Sequence, residues 1–127
     1  SEGIFIHVAE TASFREGSAE LLDQGIPLYN NILNLILRTS NTVRIEGHTD
    51  NADIRSSEAR DNWDLSARRA MAVFRFFTTS GEVPESRFSV VGYGKQRPLV
   101  SNLTEAGRAR NRRVTVVFVG KLKPLTE

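Results

Sequence analysis

The sequence predicts an α/β fold, a two-layer sandwich with helices packed on a mixed sheet and elements in the order β-α-β-α-β-α-β. Two observations support this prediction. Two kinds of segment alternate along the chain. Short segments have apolar residues at every second position, which is typical of strands, and longer segments have apolar residues at helical spacing. The 127 residues suffice for one hydrophobic core. We therefore expect one domain over residues 1–127, with a core at about 4–119 and a tail at 120–127.

The first strand and the first helix are predicted close to the start of the chain. Apolar residues alternate over residues 4–9, which is the period of a strand. A polar loop at 13–21 leads into a segment, about 23–38, with apolar residues at helical spacing. Pro27 is tolerated only in the first turn of a helix, so this helix is expected to begin at residue 23 or 24.

The second strand and the second helix are predicted on either side of a polar loop. Residues 43–47 form a short alternating run that closes at a glycine. Residues 50–61 contain many charged and amide side chains and almost no apolar ones, which is typical of a loop. The second helix is expected to start near Asn62 or Asp64, either of which can cap it.

The last part of the chain is predicted to contain two strands and a short helix. Gly81 and Pro84 are expected to end the second helix. Residues 88–93 alternate as a third strand, and Thr104 is a candidate cap for a short helix. A final strand is predicted over residues 114–118.

Composition excludes several classes of protein. The chain is 39% hydrophobic and 25% charged, as in ordinary globular proteins. It has no apolar run of about eighteen residues, so we expect contact with a membrane only through a segment outside this sequence. The absence of cysteine excludes disulfides and thiolate metal sites.

Asp50 and Arg69 form the most informative pair of charges. Asp50 follows the predicted strand 43–47, and Arg69 lies beside the buried stripe of the second helix. A buried charge needs a partner, and Asp50 is the candidate. Two interpretations stay open: a direct ion pair that pins helix to strand, or a pocket with one anion and one cation for a zwitterion. Asn62, at the helix start, points its polar groups toward the same rim.

A second group of charges lies in an arginine-rich stretch, Gly107-Arg108-Ala109-Arg110-Asn111-Arg112-Arg113-Val114. Where this stretch turns into the final strand, we expect one of Arg112 and Arg113 to point toward the pocket and the other to solvent. A solvated basic turn is the alternative interpretation.

Several motifs in this order resemble the OmpA C-terminal-like domain family. They are Phe14-Arg15-Glu16-Gly17-Ser18-Ala19-Glu20-Leu21, Gly47-His48-Thr49-Asp50-Asn51, Asn62-x-x-Leu65-Ser66-x-x-Arg69-Ala70, Val91-Gly92-Tyr93-Gly94-Lys95-Gln96-Arg97-Pro98 and Gly107-Arg108-Ala109-x-Asn111-Arg112-Arg113-Val114. The resemblance extends over about residues 4–118, nearly the whole chain.

The resemblance implies that the chain binds peptidoglycan without catalysis, through the diaminopimelate of the stem peptide. It implies that Asp50 binds the ammonium group of this amino acid and that Arg69 binds its carboxylate. The expected peptidoglycan-binding residues are Thr49, Asp50, Asn62, Leu65, Arg69, Arg112 and, as a weaker match, Phe14.

Within the family, the Asn62-Trp63 pair and the long loop at 51–61 resemble the MotB-type stator proteins of flagellar motors. This implies a periplasmic domain that anchors an inner-membrane complex to the cell wall, with a homodimer as a further expectation. Cell-wall anchors of outer-membrane OmpA proteins and lipoproteins, and type VI secretion anchors of the TssL kind, are the alternatives.

Two other classes of function receive less support. His48-Thr49-Asp50 could belong to a metal site, but His7 is the only other histidine and no paired spacing accompanies it. We therefore expect no metal, no cofactor and no enzymatic activity. The arginine-rich second half could bind nucleic acid, but its basic residues are not interleaved with stacking aromatic residues, so we expect no such partner.

Overall fold

The computed structural model describes residues 3–125 and contains a four-stranded sheet in this part of the chain. Its strands are β1 (Gly3–Ala9), β2 (Val43–His48), β3 (Phe88–Gly92) and β4 (Arg113–Val119). They are ordered β1-β4-β2-β3. Strand β4 is antiparallel to both β1 and β2, whereas β2 and β3 are parallel. The sheet is thus mixed, as the sequence predicts.

Three α-helices connect the strands: α1 (Ile26–Leu37), α2 (Asn62–Arg75) and α3 (Glu105–Asn111). The predicted start of α1 is only partly right, because residues 23–25 form a 3-10 turn and the α-helix begins at Ile26 with Pro27 in its first turn. Thr104 caps α3 as expected, through its Oγ1, which accepts the Gly107 N–H at 3.0 Å.

The cap of α2 differs from the prediction. Neither Asn62 nor Asp64 caps this helix; the side chain of Asp61 accepts the backbone N–H of Asp64 at 2.8 Å. The reason is geometric, because a capping residue lies just outside the helix with extended backbone, and Asp61 has that conformation. Asn62 is instead the first residue of α2, and its side chain does not cap the helix.

Helices α1 and α2 cover one face of the sheet and create the core. Tyr29 and Ile36 of α1 are fully buried, as is Val73 of α2. Their counterparts on the sheet include Ile45 and Val116, which point to the same side. The expected two-layer sandwich is therefore confirmed. The predicted tail at 120–127 is described only to residue 125, and its last two residues lie outside the described part.

Helix α2 lies unusually close to the sheet at its N-terminal half. A Cβ atom on Gly47 of β2 would overlap the backbone carbonyl oxygen of Ser66. Gly92 of β3 makes a similar approach to the backbone of Ala67. Glycine at these two strand positions lets the backbones approach each other, which brings the end of β2 next to the start of α2.

The opposite face of the sheet carries a polar cluster, defined here as the outer-face cluster. It consists of the buried Glu46, His48, Arg113 and Thr115 and of the half-buried Tyr93, which follows β3. His48 Nε2 donates a hydrogen bond to Glu46 Oε1 at 2.8 Å, and the imidazole stacks on Tyr93. Only 3% of His48 is exposed. Burial lowers the pKa of His48, although the bond to Glu46 opposes this shift. A neutral His48 that donates from Nε2 to the Glu46 carboxylate fits these contacts.

The position of Arg113 differs from the prediction that one of Arg112 and Arg113 points to solvent. Its neighbour Arg112 faces a cavity, as expected for one of the two, but Arg113 does not point to solvent. Arg113 is only 6% exposed and donates to Thr115 Oγ1 and to the carbonyl oxygens of Asn111 and Arg97. Burial lowers the pKa of Arg113 to about 10. The alternation of β4 puts Arg113 on the outer face, where the Arg97 carbonyl oxygen and the Thr115 hydroxyl accept its hydrogen bonds.

We predict that Gly47→Ala destabilises the fold by about 1–3 kcal/mol or more, because its Cβ would force α2 away from β2. Urea unfolding followed by circular dichroism measures this change. Ser89→Ala, at an exposed position of neighbouring β3, is the control and should behave as wild type. A Gly47→Ala variant as stable as wild type would contradict the close approach.

We also predict that the free energy of unfolding decreases as the pH falls below about 6.5, the ordinary pKa of histidine. In this range the unfolded chain binds a proton on His48, whereas the folded chain, in which the pKa of His48 is lowered, does not. The contribution of neutral His48 to the free energy of unfolding is therefore fully present above the ordinary pKa and is lost as the pH falls toward the lowered pKa. Urea unfolding at a series of pH values measures the slope.

The matched variants for this prediction are His48→Gln and His7→Gln. The pKa of His7 is also lowered, mainly by partial desolvation, but His7 is much more exposed than His48, so water offsets most of its effect on stability. His48→Gln should therefore flatten the slope much more than His7→Gln. Equal slopes in wild type and His48→Gln would show that His48 is not the group responsible.

Candidate functional site

A cavity of about 490 Å³ opens where β2 ends, between α2 and the segment that follows β1. Every residue of the expected peptidoglycan-binding set borders it: Phe14, Thr49, Asp50, Asn62, Leu65, Arg69 and Arg112. These residues come from four separate parts of the chain. The fold thus brings them together, although their role in binding remains a prediction.

The elements of the fold explain this convergence. Thr49 and Asp50 directly follow β2, and Arg112 directly precedes β4, which is the neighbour of β2 in the sheet. Asn62 and Arg69 lie seven residues apart on α2, about two helical turns, so they share a face. The contact between Gly47 and Ser66 presses this helix face against the end of β2.

Arg69 has a different partner from the one predicted. Asp50 is not in contact with Arg69; the guanidinium donates through Nη1 to Glu10 Oε2 at 2.7 Å instead. It also donates through Nε to the Ser18 carbonyl oxygen at 2.7 Å and through Nη2 to that of Arg15 at 3.0 Å. The ring of Phe14 lies 5.0 Å from the guanidinium carbon. The direct Asp50–Arg69 ion pair is therefore wrong.

Arg112 is the second cation of the cavity and contacts three carboxylates. Its Nη1 donates to Asp50 Oδ2 at 2.7 Å, its Nε to Glu10 Oε1 at 3.1 Å and its Nη2 to Glu105 Oε2 at 2.8 Å. Burial acts to lower the pKa of Arg112, but these carboxylates outweigh it and hold the pKa above its ordinary value. Arg112 therefore stays charged throughout the accessible pH range.

Together these contacts form a row of alternating charges, Arg69–Glu10–Arg112–Asp50, which we call the ion-pair row. Asp50 and Arg69 lie at its two ends, so neither neutralises the other directly. Their exposure differs: 4% of the Arg69 side chain is accessible, against 24% for Arg112. Arg112 is therefore the more open donor of the cavity, whereas Arg69 is mostly enclosed.

Asp50 retains capacity to accept further hydrogen bonds. Its Oδ1 accepts the Ala52 N–H at 2.9 Å and its Oδ2 accepts from Arg112. An ionised carboxylate offers about four acceptor positions, so about two remain. The Asn62 Nδ2 donates to the Ala52 carbonyl oxygen at 3.0 Å, which ties the 50–61 loop to the start of α2.

Glu10 is the member of the ion-pair row that sequence reasoning missed. It lies one residue beyond β1, and its N–H donates to the Arg112 carbonyl oxygen at 2.9 Å. The sequence does contain a signal for this contact, because the acid Glu10 follows the first strand and Arg112 and Arg113 lie at the start of the last one. Its meaning depends on the antiparallel pairing of β1 with β4, in which Ala9 lies opposite Arg113.

Within residues 3–125, no cluster of three or more His, Asp or Glu side chains is arranged to hold a metal ion. None of the helices in that range has the length and apolar character needed to cross a membrane.

We predict that Glu10→Ala destabilises the fold by about 2–4 kcal/mol, because it leaves the enclosed Arg69 charge without its carboxylate. Thermal and urea unfolding measure the change. Glu20→Ala is the control, because Glu20 is exposed and its ion pair with Arg15 spans 3.8 Å. If both variants lose equally little stability, the ion-pair row is not a structural element.

Proteins of similar sequence include Motility protein B of Bacillus subtilis (strain 168), which is 36% identical over 120 residues covering 94% of this chain and 46% of that protein. The putative lipoprotein YfiB of Escherichia coli (strain K12) is 43% identical over 75 residues, which cover 59% of this chain and 44% of that protein. This chain therefore spans about half the length of Motility protein B.

Solved structures of similar fold include a putative MotB-like protein from Desulfovibrio vulgaris, with a TM-score of 0.84 and 30% identity, covering 97% of this chain and 74% of that one. The cell wall anchor of the type VI secretion system from Pseudomonas aeruginosa has a TM-score of 0.84 and 30% identity, covering 90% of this chain and 80% of that one.

The family model described as "OmpA family" matches residues 13–112, a range that includes all the expected site residues. The match covers well over half of the chain, and the resemblance predicted from the ordered motifs is confirmed. This chain belongs to the OmpA family, and its domain is MotB-like.

Proposed function

We propose that this chain binds peptidoglycan without catalysis, through the diaminopimelate of the stem peptide. The single observation that carries the proposal is the ion-pair row along the cavity, which ends in the Asp50 carboxylate on one side and in the Arg69 guanidinium, called here the arginine end, on the other. Diaminopimelate ends in a zwitterionic amino-acid head, which needs one anionic and one cationic contact at a fixed separation. Charge-assisted hydrogen bonds at both ends are strong and geometrically selective.

In this proposal, the ammonium group binds Asp50, whose carboxylate has unused acceptor positions. The carboxylate binds toward the arginine end, where Arg69 contributes the N–H groups that its present contacts leave unused. Arg112, which lies between the two ends of the row, is the more exposed donor. Thr49 and Asn62 supply further polar contacts at the rim. Leu65 and Phe14 provide apolar wall for the methylene chain that links the two ends of the ligand.

The charges that line the cavity support a zwitterion over a polyanion. Five acids and four arginines border it: Glu10, Glu16, Asp50, Asp53, Glu105, Arg55, Arg69, Arg108 and Arg112. A groove for nucleic acid would instead present an excess of positive charge. The balance of charges in this cavity therefore favours the zwitterion over a nucleic-acid partner.

The biological role we propose is anchoring of a membrane complex, the flagellar motor stator, to the cell wall. Similarity to Motility protein B over 94% of the chain supports this choice. Similarity to the type VI secretion cell wall anchor and to YfiB supports the alternatives, a secretion anchor or an outer-membrane lipoprotein. The same proposal includes a single domain over residues 1–127 and a periplasmic location. It also includes a homodimer and attachment to the inner membrane through a segment outside this sequence.

We predict that Asp50→Asn weakens binding of the tripeptide L-Ala–D-Glu–meso-diaminopimelate by about 10- to 100-fold, because it removes the charge that faces the ammonium group. Isothermal titration calorimetry measures the affinity, and co-sedimentation with isolated sacculi checks the polymer. Asp23→Asn, at an exposed position in the 3-10 turn before α1, should bind as wild type.

A second ligand tests the arginine end without disturbing the enclosed Arg69. In the tripeptide with L-lysine in place of diaminopimelate, the ammonium group remains and the distal carboxylate is missing. This ligand should bind wild type at least tenfold more weakly than the diaminopimelate tripeptide. We call the proposed binding of the ligand's ammonium group by Asp50 and of its carboxylate at the arginine end the zwitterion clamp. Equal affinities of the two peptides, or undiminished binding by Asp50→Asn, would contradict it.

A further inference from the structure

A second cavity of about 300 Å³ lies directly beside the first one. The two cavities share three lining residues, Asp53, Ile54 and Asn62. A ligand that occupies the first cavity can therefore continue into the second without leaving the protein surface. The second cavity is built from the 50–61 loop, the start of α2 and the turn after β3. Of its lining residues, the zwitterion clamp uses only Asn62.

The most unusual residue of this second cavity is Trp63, which is 52% exposed. Tryptophan is a large apolar residue that is mostly buried in folded proteins. Here its indole lies over the turn after β3: a Cβ atom on Gly94, which has a φ of 59°, would lie 3.4 Å from Trp63 Cδ2. The ring thus has a floor on one side and solvent on the other.

The floor beneath Trp63 is fixed to both neighbouring elements. The Gly94 N–H donates to Ser66 Oγ at 2.9 Å, and the Gly94 carbonyl oxygen accepts the Thr49 N–H at 2.9 Å. The following turn closes with the Gln96 N–H donating to the Tyr93 carbonyl oxygen at 3.1 Å. The exposed indole is consequently a preorganised surface, which reduces the entropic cost of binding a flat ligand.

The charges around this surface balance. Two acids, Asp53 and Asp61, and two bases, Arg60 and Lys95, line the cavity together with the amide of Gln96. Formal neutrality favours an uncharged polar ligand over an anion or a cation. Planar carboxylate, amide and guanidinium groups suit adjacent hydroxyl groups, which present a donor and an acceptor side by side.

Asn62, shared by both cavities, adds an unsatisfied acceptor. Its Oδ1 is buried and has no hydrogen-bond partner among the described residues, while its Nδ2 donates to the Ala52 carbonyl oxygen. Buried polar atoms of this kind are rare in folded proteins, and a ligand donor is one way to satisfy them.

We propose that the second cavity binds a pyranose ring of the glycan strand, an uncharged N-acetylated amino sugar whose apolar face stacks on Trp63. The inference rests on the proposed function, because it assigns the sugar and the stem peptide of one polymer to neighbouring cavities. Asn62 and Gln96 contact the amide and hydroxyl groups of the sugar. Joining two modest contacts in one ligand raises the affinity for the whole beyond that for either part.

The experiment compares the tripeptide L-Ala–D-Glu–meso-diaminopimelate with the same tripeptide attached to its N-acetylglucosaminyl-N-acetylmuramyl disaccharide. Wild type should bind the disaccharide-bearing ligand about tenfold more tightly, the effect of one aromatic contact. In Trp63→Ala this gain should disappear while the affinity for the tripeptide alone is unchanged. Trp63→Phe, which keeps a ring, should retain most of the gain.

Two features of the chain sharpen this test. Trp63 is the only tryptophan, so intrinsic fluorescence reports on this cavity directly and should change with the disaccharide-bearing ligand far more than with the tripeptide. Phe5→Ala is the matched control, because Phe5 is an aromatic residue of similar exposure, 47%, on β1. Its gain from the disaccharide should equal that of wild type.

The outcomes separate the two proposals. Tripeptide binding by wild type with no gain from the disaccharide, or a full gain in Trp63→Ala, overturns the sugar cavity and leaves the zwitterion clamp intact. Failure of wild type to bind the tripeptide overturns the proposed function and this inference together.

Discussion

The candidate site depends on one physical constraint, the need to neutralise an arginine enclosed between a helix and the rest of the fold. An uncompensated buried charge costs several kcal/mol, so the chain must bring a carboxylate to Arg69. Glu10 supplies it from the end of β1, and the same carboxylate contacts Arg112 at the start of β4. Arg112 in turn contacts Asp50 at the end of β2. The ion-pair row thus joins α2 to three strands of the sheet.

This arrangement also explains why the cavity suits a ligand with two opposite charges. The row alternates in sign, and it ends in Asp50 on one side and Arg69 on the other. Because the backbone contact between Gly47 and Ser66 sets the distance of α2 from β2, the two ends keep a fixed separation. The same side chains therefore serve both stability and recognition, and substitutions at Arg69 or Glu10 will affect both. Asp50, at the end of the row, is the better residue for separating the two effects.

Most of the fold could be predicted from the sequence because its signals are local. Alternation located the strands, helical spacing located α1 and α2, and Thr104 was recognised as a cap. The failures concern information that is not local. Asn62 and Asp64 are good capping residues by type, but the backbone conformation selects Asp61.

The candidate site shows the same division between local signals, which the sequence reveals, and contacts between distant parts of the chain, which it does not. Ordered motifs were sufficient to name residues that the fold brings to one cavity. The partner of Arg69 was misassigned, because Glu10 becomes its neighbour only through the pairing of β1 with β4. Arg113 was expected in solvent, yet the alternation of β4 puts it in the outer-face cluster. Both errors come from strand register, which a single sequence does not reveal.

The most direct test of the central claim is a crystal structure of this chain in complex with the tripeptide L-Ala–D-Glu–meso-diaminopimelate. Our account predicts that the distal ammonium group lies at hydrogen-bonding distance, about 2.7–2.9 Å, from the Asp50 carboxylate. The distal carboxylate should contact the arginine end of the ion-pair row. A ligand bound outside this cavity, or one bound within it with its two charged groups exchanged, would contradict the account.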